Sequence, residues 1–337
     1  MTERFELSLA GAAEKLRSAA IVAEEFRIPA LDAGIELFVR NKHPAGVQRF
    51  APEKILLYVH GTSQAASATF DLRLDGLSWM DYLALNGYDV YLVDLRGYGR
   101  STRPPEMHAP AADNPPVVTT DVALRDFGAA VDFVLKRRGV PRIAVMGWSW
   151  GTAIVATYTA RHNAKVNRLV LYAPVWLRDK PTAASPAALG AYQTWTVEQQ
   201  RINLQTGAPD EARAGLMPEA WFALWKEAAL ATDPEGARQN PPVVRSPSGA
   251  PKDSRDYWSA GKPYYDPGEI AVPTLIVHGE WDGLLPASMA QAIYAKLARA
   301  PRKRFVQIGG GTHLLMLERN RAQLFHEVQL FLDEPGG

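Results

Sequence analysis

The sequence predicts an α/β fold: a mostly parallel, doubly wound sheet with helices on both faces and an inserted helical cap. Three observations carry this expectation. Apolar runs of strand length alternate with amphipathic helical stretches along most of the chain, the pattern left by successive βαβ units. A tight Gly-x-Ser-x-Gly turn joins one such run to a helix of small residues. The alternation breaks between about residues 176 and 266, then resumes.

Taken in order, residues 1–23 place Glu3, Glu6 and Glu14 among apolar positions, which is too charged for a secretory core or a membrane span. They read as a leader or surface helix. A cytoplasmic protein is expected, with secretion through a signal outside this sequence as the alternative. The stretches 24–30 (EEFRIPA) and 34–40 (GIELFVR) read as an antiparallel pair leading into the sheet. Continuous apolar runs at 54–60, 88–94, 142–147, 167–173, 273–279 and 303–309 suit strands buried on both faces, hence parallel and central. Between them, 121–138 aligns Phe127, Val131, Val134 and Leu135 on one stripe and stops at Gly139, and 288–299 repeats Met289, Ile293 and Leu297. Leu324, Val328, Phe331 and Leu332 form a last stripe. The expected organisation is a core in two parts, 24–176 and 266–337, with a cap over 177–265. Five of the nine tryptophans (Trp176, Trp195, Trp221, Trp225 and Trp258) fall at or within this interruption, so it has an apolar side to bury.

Composition narrows the function classes. In 337 residues, 37 basic and 36 acidic side chains leave a net charge of +1, so no long-range field gathers nucleic acid or anionic membrane. The absence of cysteine removes thiol nucleophiles, disulfides and thiolate metal sites. No His-x-x-x-His or carboxylate cluster suggests a metal, and no cofactor is expected. The expected partner is a small-molecule, ester-like substrate, with neither nucleic acid nor a membrane span involved; oligomeric state is not legible.

Gly147-Trp148-Ser149-Trp150-Gly151 follows the run IAVM directly and opens the helix TAIVATYTARH. In that strand–turn–helix setting the motif reads as a nucleophile elbow: a turn so tight that the serine backbone is strained and a Cβ at 147 or 151 has no room. A serine hydroxyl needs a base, and the base needs an acid to fix its tautomer. His313, in the glycine-rich loop after the run 303–309, suits the base; His162 and His326 fall in helices. Asp282, in the loop after 273–279, suits the acid, with Glu280 and Asp179 as competitors. Parallel strands bring these loops to one sheet edge.

With HGTS at 60–63, DLRGYGRS at 94–101, GWSWG at 147–151, HGEWD at 278–282 and GGGTH at 309–313 in this order, the chain resembles the cap-bearing serine members of the α/β-hydrolase family over roughly residues 24–335. The resemblance implies a triad of Ser149, Asp282 and His313, and an oxyanion hole formed by the backbone N–H groups of Thr62 and Trp150. DLRGYGRS reads as scaffold held by Asp94 and Arg96. HGTS departs from the lipase-type HGGG and from the HGGPG of proline iminopeptidases, and a serine nucleophile separates the chain from haloalkane dehalogenases and epoxide hydrolases, which carry aspartate there. Trp148, Trp176 and Trp281 are expected to line an apolar pocket for an ester or lactone with an apolar or aromatic portion. The same triad also serves thioesters, amides, C–C bonds and acyl transfer. A ligand receptor built on the scaffold is the alternative outside enzymes.

Overall fold

The computed structural model describes residues 11, 21–178 and 188–335; the expectation for residues 1–23 and the competitor Asp179 therefore lie wholly or largely outside the described residues. In chain order the strands are β1 (Ile21–Pro29), β2 (Glu36–Pro44), β3 (Ile55–Val59), β4 (Asp89–Asp94), β5 (Ile143–Trp148), β6 (Val166–Tyr172), β7 (Tyr192–Trp195), β8 (Val244–Pro247), β9 (Thr274–Gly279) and β10 (Lys303–Ile308). Eight of them form one sheet in the order β1-β2-β4-β3-β5-β6-β9-β10. β1 and β2 run antiparallel to each other, β2 runs antiparallel to β4, and the remaining pairs are parallel.

Each of the six apolar runs is a strand within a residue or two of its expected bounds, because strands covered on both faces must be apolar throughout. β3, β4, β5, β6 and β9 are buried along their whole lengths. β10 departs from the expectation. It is parallel to β9 but lies at the sheet edge and is mostly half-buried, since a last strand has a neighbour on one side only. The stripe on helix Thr120–Arg138 is core-facing, with Phe127, Val131 and Val134 fully buried. Helix Ala287–Lys296 buries Met289 and Ile293, and helix Arg321–Asp333 buries Leu324, Val328, Phe331 and Leu332. No helix among the described residues is long and apolar enough to cross a membrane.

Between β6 and β9 the chain leaves the sheet. This insert holds helices Val197–Leu204, Asp210–Leu216 and Glu219–Ala231, and also a two-stranded antiparallel ribbon of β7 and β8. The proline-rich stretch 233–254 contains β8 and two short helices, Pro234–Ala237 and Gly249–Asp253. Val243 and Val244 are buried there, so pairing and burial decide the conformation despite the prolines. The first helix of the insert starts at a capping box in which Thr196 accepts from the Gln199 N–H while the Gln199 side chain accepts from Thr196 N–H.

The insert is fastened to the loops that leave the sheet edge. Gly283 N–H donates to Thr206 carbonyl at 2.8 Å, and Gln205 Nε2 donates to Glu318 at 3.3 Å. Arg103 donates to Thr232 carbonyl at 2.7 Å, and Arg245, held within the insert by a fork onto the fully buried Asp233, reaches out of it to donate to Met107 carbonyl at 2.9 Å.

Candidate active site

The turn after β5 places Ser149 at φ 57°, ψ −124°, left-handed backbone that costs a non-glycine residue on the order of 1–3 kcal/mol. Neighbours impose it. Ser149 N–H donates to Tyr172 carbonyl in β6 at 3.0 Å, and Ser149 carbonyl accepts from Thr152 N–H at 2.9 Å and from its hydroxyl at 2.5 Å. A Cβ on Gly147 would stand 2.3 Å from Gly151 carbonyl oxygen, and one on Gly151 would stand 2.6 Å from His60 carbonyl oxygen. Helix Trp150–Arg161 thus starts against the end of β3, and only glycine allows that approach.

His313 follows β10, and its ring is fully buried. Its Nδ1 lies 2.7 Å from Asp282 Oδ2, in the loop after β9. The other oxygen of Asp282 accepts from the N–H groups of Leu284 (3.1 Å) and Leu285 (2.9 Å). With the carboxylate engaged on both sides, Nδ1 carries a proton toward Asp282 and Nε2 keeps its lone pair. Nε2 is buried without a hydrogen-bond partner, and His313 and Ser149 line the same cleft. Glu280, the competing acid, instead accepts from Gly310 N–H at 2.9 Å and is exposed.

The His313 loop is held from behind. Trp148 Nε1 (3.1 Å) and Tyr172 hydroxyl (3.0 Å) both donate to His313 carbonyl. Glu318, fully buried, accepts from Thr312 N–H at 3.0 Å and from its hydroxyl at 2.5 Å. Burial pushes the Glu318 carboxyl above its ordinary value, and the Thr312 and Gln205 donors oppose that shift.

The turn after β3 brings Gly61 and Thr62 against the elbow: Cβ of Ser149 lies only 3.0 Å from where a Cβ on Gly61 would stand. His60 fixes this turn. Leu95 N–H donates to His60 Nε2 at 3.1 Å, so Nε2 is unprotonated and Nδ1–H donates to Gly61 carbonyl at 2.7 Å. Complete burial lowers the His60 pKa from its ordinary 6.5, against the opposing pull of Asp94. The unfolded chain therefore takes up a proton first. Stability is untouched above about pH 6.5 and is lost as the pH falls below it toward the folded pKa. At pH 6, long-range 1H–15N spectra are expected to show a neutral His60 ring protonated on Nδ1; an imidazolium at that pH would contradict this arrangement.

Asp94 and Arg96 shape the next loop. Asp94 accepts from Ser67 N–H (3.1 Å) and hydroxyl (2.8 Å), and Arg96 forks onto the buried Asp126.

Two lobes meet at Ser149. One, with a cavity volume of about 60 Å³, is lined by Trp148, Gln193, Trp195, Gln200 and Asn203 together with Ser149 and His313. The other, about 140 Å³, is lined by Trp150, Val175, Ala250, Trp258 and Leu285. Trp148 thus lines the cleft, but Trp176 and Trp281 lie outside it. Trp176 packs edge-on against Tyr265 with ring centroids 5.0 Å apart, in the apolar core. Trp281 reaches toward Gly310 and leaves only its backbone in the Asp282 loop. The wider lobe is mostly apolar, whereas the smaller one adds the side-chain amides of Gln193, Gln200 and Asn203 to Trp148, Trp195 and Leu204. Gln193, Gln200 and Asn203 were missed since amide residues on a half-exposed strand and a helix look like solvated surface; Trp195 gave the one available signal.

A family model described as "alpha/beta hydrolase fold" matches residues 54–320. The Bos taurus protein ABHD8 is 25% identical over 285 residues, covering 83% of this chain and 57% of its own length. The chain therefore spans little more than half of that relative. Among solved structures, a serine hydrolase involved in carbazole degradation, the CarC enzyme, is similar with a TM-score of 0.60 at 18% identity, over 92% of this chain and 99% of its own. The meta-cleavage product hydrolase CumD of Pseudomonas fluorescens IP01 is similar with a TM-score of 0.59 at 18% identity, over 91% and 97% of the two chains.

Proposed function

The chain belongs to the α/β-hydrolase fold family, and from that premise we propose that it is a serine hydrolase cleaving a carboxylic ester or lactone through an acyl-enzyme on Ser149. One observation carries the reading: His313 is bonded to Asp282 through Nδ1 at 2.7 Å and leaves Nε2 unpartnered in a cleft shared with a strained serine.

In the proposed cycle Ser149 Oγ attacks the substrate carbonyl as His313 Nε2 takes its proton. Asp282 holds the tautomer and stabilises the imidazolium. Negative charge develops on the carbonyl oxygen beside the N–H groups of Thr62 and Trp150, proposed as the oxyanion donors; each such donor contributes about 3 kcal/mol of barrier lowering. Trp150 is the first residue of its helix, where backbone N–H groups have no intrahelical acceptor and the dipole favours negative charge. The imidazolium protonates the departing alcohol; water, deprotonated by His313, then attacks the acyl carbon, and the acyl–oxygen bond to Ser149 breaks as His313 returns the proton to Oγ, freeing the acid. The wider, apolar lobe suits the apolar portion of the substrate. The insert, whose residues line both lobes, is proposed as the cap.

Incubation with an alkyl fluorophosphonate, followed by peptide mass spectrometry, tests the reading. The adduct is expected on the peptide containing Ser149, with parallel loss of turnover of a chromogenic ester. An adduct confined to another residue, or ester turnover that survives complete modification of Ser149, would overturn the proposal.

A further inference from the structure

Behind the amide-lined lobe, three buried side chains form a chain of hydrogen bonds. Trp225 (0% exposed), on helix Glu219–Ala231, donates through Nε1 to Gln64 Oε1 at 3.3 Å. Gln64 (1% exposed), two residues beyond Thr62, donates through Nε2 to Gln200 Oε1. Gln200 (3% exposed) lines the cleft with Ser149 and His313, and its Nε2 is buried without a hydrogen-bond partner.

The orientation of these amides follows from one chemical fact. An indole N–H can donate and never accept, so Gln64 must turn its oxygen toward Trp225. Its NH2 then faces Gln200, which must answer with its own oxygen. Reversing Gln64 would set two donors against each other. The last nitrogen in the line, Gln200 Nε2, is thereby fixed as a donor on a residue that lines the cleft with Ser149 and His313. Buried donors without partners are rare in folded proteins, and one lining a catalytic cleft calls for an acceptor that arrives with the substrate.

The geometry points to Gln200 as a specificity-determining donor for a second, neutral carbonyl oxygen, ketone or amide, on the portion of the substrate held in the smaller lobe. This assignment rests on the serine-hydrolase reading. Neutrality follows from the lining: none of the residues around this lobe is Lys, Arg, Asp or Glu, so a carboxylate would be desolvated with no cation to pair with. A lobe of about 60 Å³ also favours a compact group.

The test compares p-nitrophenyl pentanoate with its 3-oxo and 4-oxo analogues, measuring kcat/KM for the native protein, Gln200→Leu and Trp225→Phe. The native protein is expected to prefer one oxo ester over pentanoate about tenfold, the scale of a single neutral hydrogen bond. Both variants are expected to lose that ratio. Gln200→Leu removes the donor, whereas Trp225→Phe leaves it in place and releases the constraint on Gln64. A defect of packing alone would slow oxo and alkyl esters together and leave the ratio standing. Equal specificity constants in the native protein, or a preference that survives either folded variant, overturns the assignment. Fluorophosphonate labelling of the same preparations separates this failure from the other one: a labelled enzyme without oxo preference sinks only the Gln200 inference, whereas native protein with neither labelling nor turnover sinks both.

Discussion

Ser149→Ala is expected to lower kcat by a factor on the order of 10⁶, the loss seen when a serine nucleophile is removed from a working triad. His313 would still hold a lone pair at Nε2, but no hydroxyl would be present for it to deprotonate. Water would have to attack directly. A residual acceleration of about 10³–10⁴ over the uncatalysed reaction is expected from the N–H groups and from binding. The fold supplies the control. Ser149 enters the hydrogen-bond framework through its backbone N–H and carbonyl, and alanine preserves both. Alanine meets the same positive φ with a Cβ of the same kind, so the strain is unchanged. Stability should therefore stay within about 0.5 kcal/mol of native, read as an unshifted thermal midpoint. Chromogenic ester turnover on verified folded protein decides the matter: kcat within tenfold of native would exclude Ser149 as the nucleophile.

Much of this site was legible in the sequence because chemistry and sterics act locally there. Gly147 and Gly151 are required by contacts with their own turn and with the end of β3, which a strand–turn–helix pattern already implies. His313 and Asp282 stand in loops after consecutive strands of a parallel sheet, so topology delivers them to one edge. What escaped depends on contacts distant in sequence. β7 and β8 are four residues each and about fifty apart, too short for periodicity to reveal and stabilised only once paired. Trp176 is apolar and near the insert boundary, which says it is buried but not against what; Tyr265 takes it into the core. Gln200 follows the same logic from the polar side. Its sequence neighbours Glu198, Gln199 and Arg201 suggest a solvated helix, while burial comes from Gln64 and Trp225 on other elements.

Asp282→Asn is the second large effect, and the structure fixes its sign. Asparagine has one oxygen and one NH2 where Asp282 has two oxygens. The Leu284 and Leu285 N–H groups converge on Oδ1 at 3.1 and 2.9 Å, so placing the NH2 there would leave three donors facing one another in a buried loop. The asparagine oxygen must therefore keep that side, and the NH2 must face His313. Nδ1 can meet that donor only by giving up its proton. The ring then carries its proton on Nε2, the nitrogen that receives one from Ser149 in the proposed cycle. The base is present in the wrong tautomer. His278 offers no remedy, because its Nε2 is bonded to Leu285 carbonyl at 2.7 Å and lies 3.8 Å from Asp282 Oδ2. The expected loss in kcat is about 10⁴-fold, the effect of tautomer reversal in a serine triad, or about 5.4 kcal/mol of barrier at 1.36 kcal/mol per decade. Steady-state kinetics on the ester, together with long-range 1H–15N spectra of His313, report the two halves of the argument separately. A proton found on Nε2 with kcat reduced to this degree supports it. A proton retained on Nδ1 with kcat within tenfold of native would mean that Asp282 does not set the state of the base.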